Sequence, residues 1–209
     1  MGKMIDIEKH NILLQGKGPD EIVQWALTEA KKPVLTTNFG PYSASILSVI
    51  SKAKEDLSVL WIDTGYNTPQ TYKYASEIIN LLSLNVITYV PKQTVAYRNT
   101  IMGIPEITDS NHQLFTDQVK LEPFRRAMNE HQPDFWFTNI RKGQTAFRNT
   151  LDILSKGTDG VIKVSPFYNY SDEDLDEYLK NHNLPNEKRY YDPTKALSNR
   201  ECGLHTLKS

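Results

Sequence analysis

Apolar positions alternate along this chain between a period near 3.6 and short continuous runs. Over residues 19–31, Ile22, Val23, Ala26 and Leu27 fall on one helical face, and Pro19 with its acidic neighbours suits a first turn, so the spacing predicts a helix. Pro33 to Thr37 reads as a short strand, Asn38-Phe-Gly-Pro-Tyr-Ser43 as a turn, and Ala44 to Ile50 as a helix. Leu57 to Ile62 is a compact apolar run, the mark of a parallel strand buried on both faces. It ends in Asp63-Thr-Gly-Tyr66, and a helix follows from Thr68-Pro69 through Tyr72, Ala75, Ile78, Ile79 and Leu82. Leu84 to Val90 is a third strand, Phe135 to Thr138 a fourth and Val161 to Val164 a fifth. Between the third and fourth strands, polar residues together with Gly103 and Pro105 dominate residues 92–118, with Asp109-Ser-Asn-His112 as a loop. A helix then starts at Leu121 with Pro123 in its first turn. Ser171-Asp-Glu-Asp174 is a capping box opening a helix to Asn181, and Asn186 to Asn199 is irregular.

Strands alternating with helices imply an α/β, doubly wound, mainly parallel five-stranded sheet, because such crossovers are right-handed and cover both faces. We expect one domain overall: a nucleotide-binding α/β body over 1–185 and a C-terminal arm over 186–209. At 209 residues, 39% hydrophobic and 23% charged, the chain has the makeup of a soluble globular protein. It contains no long apolar run that would cross a membrane, and its first residues lack the apolar core of a signal peptide, so a cytoplasmic location is expected. A single cysteine excludes an internal disulfide and a cluster ligated by one chain. Five scattered histidines give no metal spacing, so no bound metal or cofactor is expected. The net charge of -1 gives no general pull towards nucleic acid.

Candidate chemistry gathers at four places. The tail Arg200-Glu-Cys-Gly-Leu-His205 holds the only cysteine, flanked by charges that argue against burial. A thiolate is the nucleophile of sulfur chemistry, and neighbouring cations favour it; the plainer alternative is a stray thiol on a frayed end. The turn at 38–43, between strand and helix, presents backbone N–H groups as an anion site would, or is an ordinary connection. Asp63 and Thr64 follow a buried strand, where open α/β sheets bind ligands, or merely cap the next helix. Arg141, Lys142, Gln144 and Arg148 follow the fourth strand; guanidinium groups grip phosphate and sulfate, though loop charges are often only solvated.

Taken together these blocks resemble the 3'-phosphoadenylylsulfate (PAPS) reductases. Thr36-Thr-Asn-Phe-Gly40 looks like their modified phosphate loop. Asp63-Thr-Gly-Tyr66 with Pro69-Gln-Thr-Tyr72 matches Asp-Thr-Gly-Tyr…Pro-Glu-Thr-Tyr. Lys120-Leu-Glu-Pro123, Arg141-Lys-Gly-Gln-Thr-Ala-Phe-Arg148, Ser165-Pro166 and the Glu-Cys-Gly-Leu-His tail follow in family order. The resemblance implies the adenine-nucleotide α-hydrolase fold. It implies reduction of PAPS to sulfite and adenosine 3',5'-bisphosphate, with thioredoxin or glutaredoxin as external donor and a homodimer as the assembly. It also implies roles: Thr37, Asn38, Phe39, Gly40 and Ser43 meeting the nucleotide, and Asp63, Thr64 and Gly65 near the adenosine. Arg141, Lys142, Gln144 and Arg148 would lie on phosphate and sulfate, and Glu201, Gly203 and His205 would position Cys202. Two departures stand out. Lys142 replaces the second arginine of the family pair. The stretch between Pro185 and Glu201 is short, leaving Lys188, Arg189 or Arg200 to grip the 3'-phosphate. Rival readings are a cluster-free adenylylsulfate reductase, an ATP pyrophosphatase of the same fold (whose Ser-Gly-Gly-x-Asp-Ser loop is absent) and a non-catalytic nucleotide sensor.

Overall fold

The computed structural model describes residues 5–157 and 160–195. Helices α1 (Ile7–Leu14) and α2 (Pro19–Glu29) precede β1 (Pro33–Thr37), α3 (Ser43–Ala53), β2 (Ser58–Ile62), α4 (Pro69–Leu81) and β3 (Val86–Tyr89). Then come α5 (Val95–Ile101), α6 (His112–Thr116), a π-helical turn (Asp117–Leu121) and α7 (Glu122–His131). Strands β4 (Phe135–Phe137), β5 (Leu154–Lys156) and β6 (Ile162–Val164) and helix α8 (Asp172–Asn181) complete the body.

The strands form one sheet in the order β3-β2-β1-β4-β6-β5. All neighbours are parallel except β5, which runs antiparallel to β6, Leu154 opposite Val164. The sheet thus has six strands rather than the expected five. The addition is a three-residue edge strand with one buried side chain, too short for any period to show. Its outer rim is covered by α1, whose Asn11 side chain both donates to Leu154 O (3.0 Å) and accepts from Leu154 N (2.8 Å). That pairing blunts an edge that would otherwise offer free backbone groups.

Successive strand residues point to opposite faces. Leu35, Val59, Phe135, Phe137 and Val164 pack with α2, α3 and α8 on one side, while Val34, Leu60, Ile62, Tyr89 and Trp136 meet Phe124 and Ala127 of α7 on the other. Such double burial explains why these strands read as continuous apolar runs. Residues 92–118, of which only Asp109 to His112 was expected as loop and the rest left unassigned, contain α5 and α6; both are short, and their exposed Tyr97, Ile101 and Leu114 alongside the fully buried Arg98 invert the usual pattern. No described helix is long and apolar enough to cross a membrane.

After β1 the chain moves outward to β2 and β3; β4 and β6 lie on β1's other side. Strand order therefore reverses between β1 and β4, and in open α/β sheets the crevice beyond the carboxyl ends at such a point is where ligands sit.

Candidate functional site

Three strand ends and one later segment meet at this crevice. The turn after β1 is tightly wound: Phe39 and Tyr42 both adopt left-handed backbone, φ 50° and 60°, a strain that tends to be kept at functional sites. The Thr37 hydroxyl accepts from Phe39 N (3.0 Å), and Asn38 Oδ1 accepts from Gly40 N (3.2 Å). The Phe39 ring is fully buried against Trp61, centroids 5.0 Å apart, so this residue contributes backbone to the crevice and side chain to the core. Ser43 is buried as well, its hydroxyl 3.1 Å from the Tyr74 hydroxyl.

Beside it, the turn after β2 is organised by one carboxylate oxygen. Asp63 Oδ1 accepts from Gly65 N, Asn67 Nδ2 and Tyr72 Oη, each at 2.9 Å. Thr64 Oγ1 accepts from Tyr66 N (3.2 Å). The cap of α4 is neither residue but Thr68, which accepts from Thr71 N. That disposes of helix capping as the reason for Asp63 and Thr64. Gly65 has φ 81°, and a Cβ there would lie 2.5 Å from Val95 Cγ2 of α5. Burial, then the Asp63 charge and hydrogen bond, push the Tyr72 hydroxyl up to about 12, so it remains a donor across ordinary pH.

The loop after β4 supplies the cations. Arg141, Lys142, Gly143, Gln144, Thr145 and Arg148 line a cleft of about 480 Å³ with Ser171, Asp172, Glu173 and Lys195. Gln144 organises this loop: its Oε1 accepts from Arg141 N at 3.0 Å and from the Arg148 guanidinium. Arg141 is 6% exposed and donates to Tyr170 O and to Asp172 Oδ1, while its Nε is buried without a partner. Four cationic side chains face two carboxylates around the cleft, so its field favours an anion. Tyr42 joins the two halves: Arg141 stacks over its ring at 5.1 Å, and its carbonyl accepts from Asn139 Nδ2 at 3.2 Å.

In residues 186–195 the sequence pointed to Lys188 and Arg189, and it missed Asn186, Tyr190 and Lys195, which reach the crevice. Asn186 Oδ1 accepts from Tyr42 N (2.8 Å), and the Tyr190 hydroxyl accepts from Asn38 Nδ2 (2.7 Å). The Tyr190 ring lies close over Gly40, 3.2 Å from where a Cβ would be, so a side chain there would have to push the ring aside. Asp192 is buried on Lys120 of the π-helical turn and accepts from Thr194 N and Oγ1. Burial pushes the Asp192 carboxyl up, but the Lys120 charge and the hydrogen bonds together outweigh it and hold it below the ordinary value. Of the cations suggested for the 3'-phosphate, Lys188 pairs loosely with Asp176 at 3.8 Å, whereas the residue that reaches the cleft is Lys195. Its signal was faint: one lysine after Pro193-Thr194. Arg200, Glu201, Cys202, Gly203 and His205 lie outside the described residues.

A doubly wound sheet with a cation-lined cleft beyond its strand ends is the architecture of an α/β protein that takes its ligand at the switch point. Residues 32–193 match the Phosphoadenosine phosphosulfate reductase domain. The chain is 34% identical over 182 residues to the Phosphoadenosine 5'-phosphosulfate reductases of Xylella fastidiosa and of Xanthomonas axonopodis pv. citri. That match covers 86% of this chain and 76% and 75% of those proteins. Among solved structures it resembles phosphoadenylyl-sulfate (PAPS) reductase from Candida auris, with TM-score 0.77 and 27% identity over 87% of this chain and 88% of that one. An NH3-dependent NAD synthetase from Campylobacter jejuni, 14% identical with TM-score 0.54, shares the fold alone. This chain belongs to the phosphoadenosine phosphosulfate reductase family, a family of oxidoreductases, and its fold is of the adenine-nucleotide α-hydrolase type.

Proposed function

We propose that this protein reduces PAPS to sulfite and adenosine 3',5'-bisphosphate, using Cys202 as nucleophile and a thioredoxin- or glutaredoxin-type dithiol as electron donor. One observation carries the reading. The cation-lined cleft after β4 meets the β1 turn where Arg141 stacks on Tyr42, and the segment that leads to Cys202 reaches that cleft at Lys195. Cys202 follows Lys195 by seven residues, a length that spans at most about 25 Å.

In this mechanism Arg141, Lys142, Arg148 and Lys195 hold the phosphate and sulfate oxygens. The Cys202 thiolate attacks the sulfur of the sulfo group; an S–S bond forms, and the S–O bond to the 5'-phosphate breaks. Adenosine 3',5'-bisphosphate leaves with that electron pair. Cations fixed in advance stabilise the charge moving onto the leaving phosphate at little reorganisation cost. A thiolate of the external dithiol then attacks Cys202 Sγ, and sulfite departs. The second thiol of the donor reduces the resulting mixed disulfide, returning Cys202 as a thiol and leaving the donor as its own disulfide. Two electrons from the dithiol thereby account for the reduction. His205 adds positive field beside Cys202, and Glu201 and Gly203 shape the approach. A homodimer, which the family resemblance implies, and a cytoplasmic location, expected from the amino-acid sequence, belong to the same reading.

The test is intact-mass spectrometry of the reduced protein mixed with PAPS and no reductant. We expect a gain of one SO3 group, lost in Cys202→Ser and removed by reduced thioredoxin, as covalent catalysis requires. Adenylylsulfate in place of PAPS reads the dependence on the 3'-phosphate. A protein that binds PAPS yet forms no adduct would overturn the mechanism and favour a nucleotide sensor.

A further inference from the structure

The hydrogen bonds of Asp63 are unevenly shared. Gly65 N, Asn67 Nδ2 and Tyr72 Oη all donate to Oδ1, while Oδ2 accepts from none of the described residues. Three donors on one oxygen fix the carboxylate plane, because each arrives from a different part of the chain: the turn itself, the residue before the α4 cap, and the first turn of α4. The framework behind them is packed on two sides. Trp61 packs on the Tyr72 ring at 6.0 Å and on the buried Phe39 at 5.0 Å, which ties the β2 turn to the β1 turn. Gly65 lies against Val95 of α5, and the Tyr66 hydroxyl donates to Asn99 Oδ1 at 2.7 Å, which braces the turn from the other side. A half-buried carboxylate with one oxygen saturated and the other open accepts from a neutral donor and repels phosphate.

We propose that Tyr72 and Asn67 are positioning residues that aim Asp63 Oδ2 at a neutral hydrogen-bond donor of the nucleoside half of the substrate. This inference rests on the nucleotide reading above, in which the family resemblance already sets the adenosine at Asp63, and adds the oxygen that meets it and the residues that aim that oxygen. The nucleoside sits over the β2 turn, and the phosphates run across β1 towards the cations that follow β4. Strand order β2-β1-β4 makes these the two ends of one crevice, and their charges are opposite. An anion placed at Asp63 would meet a carboxylate, and a neutral hydroxyl or amine placed at Arg141 would forgo its charge-assisted bonds. The donor is a ribose 2'-hydroxyl or the 6-amino group of adenine, which share this chemistry.

The experiment is calorimetric titration of the full chain with adenosine 3',5'-bisphosphate, its 2'-deoxy analogue and inosine 3',5'-bisphosphate. We expect one analogue to bind the wild type roughly ten- to a hundredfold more weakly, the loss of a hydrogen bond to a charged acceptor. Asp63→Asn should erase that discrimination. Tyr72→Phe and Asn67→Ala should each reduce it, and Tyr72→Phe should change nothing further in an Asp63→Asn background. A merely structural role would weaken all three ligands equally and leave their ratio intact. With PAPS as substrate, Tyr72→Phe should raise KM more than it lowers kcat. Equal affinity of the wild type for all three nucleotides, or a ratio unmoved by Asp63→Asn, would overturn the inference while leaving the reductase reading in place. No binding of adenosine 3',5'-bisphosphate by the wild type would instead sink the reductase reading itself.

Discussion

At Gly65 the chain turns with φ +81°, and a methyl group there would sit 2.5 Å from Val95 Cγ2. Both facts disfavour any side chain: left-handed backbone costs a β-carbon about 1–2 kcal/mol, and the contact forces α5 away from the turn. Gly65→Ala should lower stability by roughly 1–3 kcal/mol, read from the urea midpoint at unchanged m-value. The same substitution should weaken nucleotide binding, since the Gly65 N–H is one of the three donors on Asp63. Gly40 is constrained differently: its φ is ordinary, but the Tyr190 ring lies 3.2 Å from where its Cβ would be. The sequence marks both glycines as turn residues. It does not say that one answers to α5 and the other to a tyrosine 150 positions later.

Among elements, α8 was legible because its start carries local chemistry, whereas α1 was not foreseen although Asp6 caps it. Ser171 caps α8 and Asp174 returns the bond to Ser171 N, as Ser-x-x-Asp foretells. Strand β5 had no such signature; its existence depends on β6 on one side and Asn11 on the other. Asn11→Ala should leave the Leu154 N–H and C=O without side-chain partners and cost about 1–2 kcal/mol. Hydrogen exchange should show faster exchange at Leu154 than in the wild type, with little change in β1 or β2, which lie on the far side of β4. Residues 92–118 resisted reading for a related reason. Arg98 is fully buried, with Nη2 donating to Gln93 O and Nε to Gln118 Oε1, and a buried charge breaks the apolar period that betrays a helix.

Across the whole molecule, Lys120 and Asp192 join the middle of the chain to its last described turn, both side chains 5% exposed or less. Removing one partner of a buried pair leaves the other charge uncompensated. Lys120→Met should therefore destabilise the protein by about 3–5 kcal/mol in denaturant melts, and Lys120→Met with Asp192→Leu should recover much of that loss. The pH dependence follows from the Asp192 carboxyl being held below its ordinary value of 3.8. The folded state binds that proton less readily than the unfolded chain. Its stabilisation is complete above about pH 4 and is lost as pH falls through the lower folded value. Melts taken from pH 6 to pH 3 should show this acid loss in the wild type and less of it in Asp192→Asn.

Periodicity and caps alone determined the alternation of the five parallel strands with the helices α2, α3, α4, α7 and α8, and motif order pointed to the family, because these are local properties of contiguous residues. The cations after β4 and the turns at Gly40 and Gly65 were visible for the same reason. Only the tertiary structure decided that Asp63 offers one oxygen, that Gln144 holds the arginine loop, and that Asn186, Tyr190 and Lys195 reach the crevice. Those facts depend on contacts between residues far apart in the chain, and no local pattern encodes which distant partner a side chain will meet once strand order reverses at β1 and β4.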